Sequence, residues 1–278
     1  MRKRKNRRRK HHKPNLKYNL TRNRKMLKTF LVDGDKGGVG KTMVSRIITD
    51  VYIRHAEEIL KSRIICIDAD HTNPDFAGEG GYKKDDHVFA SFLANLDEPD
   101  SWLDMANALE PYLEMAQEEE VRIIINLPAT IQRAFMAGGE AVGQVMETFN
   151  CIPVWVLGDT ADSVTQLQKR YEVMGRKFEH GVAVVNLKFG LKEKFVHWNG
   201  SDIRKEIIDT GEWMETSIPV FSPSIARKLG RTPFHVAEEC RVGANGVKLG
   251  LGDLLGVRAF RNYAVSAMTC IERLGAGQ

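Results

Sequence analysis

Eight consecutive residues, Asp35-Lys36-Gly37-Gly38-Val39-Gly40-Lys41-Thr42, constrain this chain more than any others. They follow a short strand-like run, KTFLVD (28–33). They precede apolar residues at helical spacing: Val44, Ile47, Ile48, Val51, Ile59 and Leu60. A strand that enters a glycine-rich turn and leaves as a helix has few ways to fold. The glycines let successive N–H groups turn inward as an anion nest, and the helix N-terminus adds partial positive charge. Lys41 is placed to reach the β- and γ-phosphates of a nucleotide, and the Thr42 hydroxyl to ligate Mg²⁺. Gly37, Gly38, Val39 and Gly40 supply the backbone of that candidate site.

The same alternation continues downstream. RIICID (63–68), VRIIIN (121–126), residues 152–157 and 182–186 are continuous apolar runs of the kind buried on both faces. Between them, helices are expected over 42–60, 101–118 (interrupted or restarted at Pro111), 131–149 and 162–174. Strands of this type alternating with helices predict an α/β fold, a mostly parallel sheet covered by helices on both faces. Residues 243–256 carry five glycines and read as a mobile connection before a last helix over 257–274. That helix reads as packed on the sheet rather than laid on a membrane. Residues 187–202 read as a long surface loop, in which Phe195 and Trp198 could instead cover a base or meet a partner.

Charge is divided unevenly. Residues 1–28 hold fourteen Lys and Arg and no acid, so the net +5 of the whole chain leaves −9 for the remainder. The organisation predicted is a basic, disordered arm over 1–25 and one domain over 26–278. Four separated cysteines, with no CxxC pair, argue against a disulfide scaffold and a local zinc or iron–sulfur site. A reducing cytoplasm is the simplest compartment. The longest apolar run, 151–157, is far short of the roughly 20 residues that span a bilayer. Nor do the eight histidines fall at metal-ligand spacing, so surface or core positions are expected for them. No GxSxG elbow or Cys/His pair supports nucleophilic catalysis.

With Asp35 in place of the usual first glycine and an extra lysine at Lys36, KGGVGKT resembles the deviant Walker A loop of the ParA/MinD family of P-loop ATPases. The likeness extends over about residues 28–240. It implies ATP and Mg²⁺ as ligands and a homodimer formed on ATP binding. Lys36 would reach across that dimer to the partner's phosphates.

Ile67-Asp68-Ala69-Asp70 matches the DxD that relatives place at the end of the second strand. By that resemblance Asp68 bonds Mg²⁺-bound water and Asp70 orients the attacking water. The next residues, His71-Thr72-Asn73-Pro74-Asp75, depart from the family's usual Pro-Gln-Gly-Asn. The strand that should end in a Walker B aspartate ends in Asn126, which can accept a hydrogen bond but brings no charge. Mg²⁺ is bound through few direct carboxylates and several waters, so this loss need not abolish binding, and weaker Mg²⁺ binding or slow turnover is expected. Asn-Leu-Pro-Ala (126–129) resembles ParA-like proteins of plasmid mobilisation and stability systems. Asn186 sits where relatives read the adenine edge, and a strand-terminal turn residue is the alternative.

Three readings of function follow. The first is an ATPase whose nucleotide-dependent dimer positions, partitions or helps transfer plasmid DNA or another large cargo. The second is a weakly or non-hydrolysing nucleotide switch acting as an interaction protein. The third is an ATP-dependent metabolic ligase on the same scaffold. Candidate partners are nucleic acid, through the arm or another basic surface, and an adaptor, centromere-binding or mobilisation protein; a membrane is not expected.

Overall fold

A computed structural model describes residues 26–58, 62–71, 73–174 and 180–274. The basic arm, Thr72 and the predicted helical positions Ile59 and Leu60 lie outside these residues. Seven strands form one sheet in the order β3-β2-β4-β1-β5-β6-β7. They are β1 (Leu27–Gly34), β2 (Arg63–Asp68), β3 (Ala90–Leu93), β4 (Val121–Asn126), β5 (Cys151–Leu157), β6 (Gly181–Asn186) and β7 (Trp213–Ile218). Every pairing is parallel, which completes the mostly parallel sheet expected from the sequence. β3 and β7 lie at the two edges and are not among the strands that the sequence predicts. β3 has only four residues, and β7 carries Glu215, Thr216 and Ser217 among its apolar positions.

The continuous apolar runs divide by alternation, since successive side chains in a strand point to opposite faces. Phe30, Val32, Ile64, Cys66, Ile124, Val154, Val156, Val182 and Val184 enter one core. Leu31, Ile65, Ile67, Ile123 and Ile125 enter the core on the other face, and Trp155, Leu157, Ala183 and Val185 form its extension. The first face is covered by α1 (Lys41–Glu58) and a long C-terminal helix. The second is covered by α2 (Pro99–Met115), α3 (Gln132–Thr148) and α4 (Ala161–Met174).

Three expectations are corrected. Helix α2 runs through Pro111 without interruption. Trp102, Met105 and Leu109 on one side of the proline and Tyr112 and Leu113 on the other pack into the same core, and that burial offsets the hydrogen bond the proline cannot donate. The connection after β6 is not a surface loop, because Phe195 and Trp198 are buried to 1 % exposure beside Leu167, Ile203 and Ile207. Trp198 Nε1 donates to Glu215 at 2.9 Å, which anchors the segment to β7. Finally, the glycines of 243–256 are not all connection. α5 (Pro223–Leu229) and α6 (Phe234–Cys240) precede α7 (Leu251–Met268), which begins six residues before the predicted helix and contains Gly252 and Gly256. Gly250 N donates to Asp253 at 3.0 Å to start it. A side chain at 256 would run into Ile225 of α5, so this glycine serves close helix packing.

The C-terminal half is locked to α1 by buried ion pairs. Arg261 of α7 binds Asp50 and Glu238, each at 2.6 Å. Arg46 of α1 donates to the carbonyls of Gly230 and Thr232 and stacks on Phe234.

Candidate phosphate-binding site

β1 is the central strand, flanked by β4 and β5, and its C-terminal end opens directly into the glycine-rich loop. Ligands of open α/β sheets bind outside the carboxyl ends of the strands. Register brings the candidate groups to that end: Val32 pairs with Asn126, and Asn126 with Asp68. Two strand ends far apart in sequence therefore finish level with each other, beside the start of the loop.

Lys36, Gly37 and Gly38 are exposed at the crest of the loop, whereas Val39 is buried in the core and pins its far side. Gly38 and Gly40 have φ of 79° and 114°, and for Gly40 there is also no room for a side chain. An added Cβ at 40 would lie 2.5 Å from Asn186 Nδ2. The Asn186 amide donates to Val39 O at 2.7 Å and accepts from Lys188 N at 3.0 Å. It braces the loop from behind, and both ends of the amide are engaged within the protein.

Lys41 is buried, and its ammonium lies 3.2 Å from Lys36 O, turned into the loop. Burial pulls its pKa down, and Asp33, Asp70 and Asp35 oppose that shift. Lys36 is half-exposed and 3.8 Å from Asp35. Asp35 in turn accepts from Ser163 Oγ, whose oxygen also receives Gly158 N.

Asp68 is fully buried. Asn126 Nδ2 donates to its Oδ1 at 2.9 Å, and Phe76 N and Ala77 N donate to Oδ2 at 2.8 and 3.3 Å. Burial raises the Asp68 pKa, and these donors oppose the rise. Asn126 Nδ2 also lies 3.5 Å from Thr42 Oγ1, so Thr42, Asp68 and Asn126 form one cluster. Asn126 Oδ1 is buried without a hydrogen-bond partner. Asp70, at the mouth, is half-buried and receives Asn73 N at 3.3 Å.

Sequence reasoning missed the support beneath the loop. Asp33, the last charged residue before it, accepts from Gly34 N and from Arg170 of α4, at 2.7 and 2.8 Å. Both members of this pair are buried. Asp33 stands in the strand motif itself, but its partner is 137 residues away and carries no local signature.

No protein-family model matches the chain. Over 184 residues it is 27 % identical to Protein MobD of Acidithiobacillus ferrooxidans, an alignment covering 66 % of this chain and 73 % of that protein. Among solved structures it is similar to the MinD cell division protein of Aquifex aeolicus, with TM-score 0.45 and 16 % identity over 84 % of this chain and 97 % of that one. It is also similar to a nucleotide-binding protein of Archaeoglobus fulgidus in complex with ADP, with TM-score 0.41 and 18 % identity over 78 % of this chain and 92 % of that one. Among the described residues no helix is long and apolar enough to cross a membrane.

Proposed function

We propose that the chain is a ParA/MinD-type ATPase that binds ATP with Mg²⁺ at the loop following β1. The observation that carries this reading is the placement of Lys41: its ammonium is turned into a glycine loop that leaves β1 where Asp68 and Asn126 end their strands, and the next residue, Thr42, lies 3.5 Å from Asn126. The backbone N–H groups of Gly37 to Lys41 bind phosphate oxygens, and Lys41 neutralises their charge. Thr42 Oγ1, Asp68 and Asn126 would hold Mg²⁺ or its waters. The unpartnered Asn126 Oδ1 fits that task, being a buried acceptor that a metal-bound water would satisfy. When bound, Mg²⁺ offsets charge on the β- and γ-phosphates. Asp70, at the mouth, orients the attacking water. Asn186 holds the loop in shape from behind, through Val39 O.

Lys36, solvent-facing at the crest of the loop, reaches the phosphates of a second copy, so the ATP-bound state is a homodimer. The likeness to MobD accords with the mobilisation-type Asn-Leu-Pro-Ala (126–129), and the output proposed is mobilisation or partition of plasmid DNA. Contact with nucleic acid through residues 1–25 and with an adaptor or mobilisation protein completes this cycle.

One observation favours slow turnover, the switch reading. Asn126 lends a donor to Asp68 where a second carboxylate would bring negative charge, so this site has less charge with which to attract a cation.

Light scattering with ATP and Mg²⁺ tests the dimer, and phosphate release, with and without DNA, tests hydrolysis. Lys36→Ala is expected to keep nucleotide but lose the dimer, and Lys41→Ala to lose nucleotide. An undiminished dimer in Lys36→Ala would overturn the cross-subunit role, and unchanged nucleotide binding in Lys41→Ala would overturn the site.

A further inference from the structure

On the α1 side of the sheet, three potential metal ligands meet that the proposed nucleotide site does not use. Asp85 and His87 lie just before β3, and His235 is the second residue of α6. One ligand atom from each falls within 4.8 Å of the others. Asp85 Oδ2 is 2.9 Å from His235 Nε2, and Asp85 Oδ1 is 3.4 Å from His87 Nδ1. The two imidazoles meet edge to face with centroids 4.6 Å apart.

Two features separate this group from an ordinary ion pair. The side chains of Asp85 and His235 are 1 % and 2 % exposed, and while His235 Nε2 lies 2.9 Å from Asp85 Oδ2, His235 Nδ1 is buried with no partner. A buried carboxylate facing two imidazoles needs positive charge beside it, which either a protonated imidazole or a bound cation supplies. The other carboxylate oxygen is already fixed, since His87 N donates to Oδ1 at 3.0 Å and sets the carboxylate plane. Outer hydrogen bonds of this kind orient ligands in metal sites. The spacing also suits a small cation. Ligands at about 2.0–2.1 Å from a tetrahedral metal lie roughly 3.3 Å apart. The His87 side chain is 37 % exposed, which gives an entry path and room for a water as fourth ligand.

We propose that Asp85, His87 and His235 form a binding site for a divalent transition metal of the zinc class. Two imidazoles and one carboxylate select Zn²⁺, Co²⁺, Ni²⁺ or Cu²⁺ over Mg²⁺, which prefers oxygen ligands and octahedral geometry. Such a cation ties two distant parts of the chain together. The segment bearing Asp85 and His87 continues from Phe76 and Ala77, whose N–H groups hold Asp68; His235 belongs to the α6 region that Arg46 joins to α1. The site is a clip between the loop after β2 and the C-terminal helices. Its 148-residue sequence separation hides it from any reading by spacing.

The test is Co²⁺ titration of the full, chelator-stripped chain, followed by visible absorption, with thermal unfolding in the presence and absence of Zn²⁺. One tightly bound equivalent with tetrahedral-type bands, and a raised Tm with Zn²⁺ but not with Mg²⁺, is the expected result. His87→Ala, which removes a partly exposed side chain, should keep its metal-free Tm and weaken Co²⁺ binding more than about 100-fold, beyond the loss of an outer partner. His87→Cys retains a ligand and should keep binding while adding thiolate charge-transfer absorption. His11→Ala with His12→Ala removes the paired histidines of the basic arm and should change nothing. Absence of saturable Co²⁺ binding, unchanged binding in His87→Ala, or binding abolished by the arm substitutions would each overturn the site.

Discussion

Asn126 Nδ2 donates to Asp68 Oδ1 across 2.9 Å, so the amide that ends β4 neutralises no charge but occupies a lone pair of the fully buried carboxylate that ends β2. An aspartate at 126 would set two carboxylates face to face. Asn126→Asp is therefore expected to destabilise the metal-free protein by about 1–3 kcal/mol, the cost of an unsatisfied buried group. In exchange it should gain a larger Mg²⁺–ATP-dependent rise in Tm than the parent. Differential scanning fluorimetry in EDTA and in Mg²⁺–ATP checks both halves. An equal ligand increment in the two proteins would remove position 126 from the cation site.

Gly40 has φ of 114° and meets Asn186 Nδ2. Gly40→Ala should cost about 1–3 kcal/mol through backbone strain and displace the amide that braces Val39 O, lowering nucleotide affinity more than tenfold. Adding Asn186→Ala relieves the contact but not the strained φ. Isothermal titration with ATP should show at most partial recovery in the double variant; full recovery would mean that the contact alone dictates glycine.

Removing Arg261 leaves Asp50, at 0 % exposure, without its closest cation. Arg261→Met should lower unfolding free energy by about 3–5 kcal/mol, the usual cost of breaking a buried pair from one side. Asp50→Asn in the same chain should recover part of that loss. Urea unfolding measures both, and a double variant no better than the single would contradict the buried-charge argument.

Lys28 is buried under the C-terminal turn, donates to Glu272 O at 2.7 Å, and has its pKa pulled from 10.5 to about 8, by burial first and by Arg122 second. Between about pH 8 and 10.5 the unfolded chain thus binds the proton more tightly than the folded one. Stability from this group rises with pH in that window and is lowest below it. Against Lys28→Met, the parent should gain about 2 kcal/mol between pH 8 and pH 10. Parallel pH–stability curves for the two proteins would be the contrary result.

The basic arm carries 13 Lys and Arg in residues 1–25. If about six of them meet phosphates, duplex DNA binding should fall with salt at a log–log slope near −5. A chain beginning at Met26 should lose both that slope and most of the affinity in fluorescence titrations. Identical slopes would place the contact on the folded domain.

The loop, the strands β1, β2, β4, β5 and β6 and the helices between them were legible in the sequence, because a glycine-rich turn and continuous apolar runs are local chemistry repeated along the chain. The positions of Lys36 to Thr42 in the loop and of Asp68, Asn126 and Asn186 at strand ends were legible for the same reason, with Asp70 two residues beyond β2; their roles are the proposal made above. Tertiary structure alone decided the rest. Helix α2 passes through Pro111, and Gly256 lies within α7, because burial against neighbouring elements outweighs intrinsic preference. Phe195 and Trp198 are core rather than loop because the chain after β6 folds back over the sheet. Asp33 with Arg170, Asp50 with Arg261, and Asp85 with His235 join residues more than 130 positions apart. A charge records no partner in its own neighbourhood; the parallel crossovers of the sheet choose it, by determining which helix faces which strand.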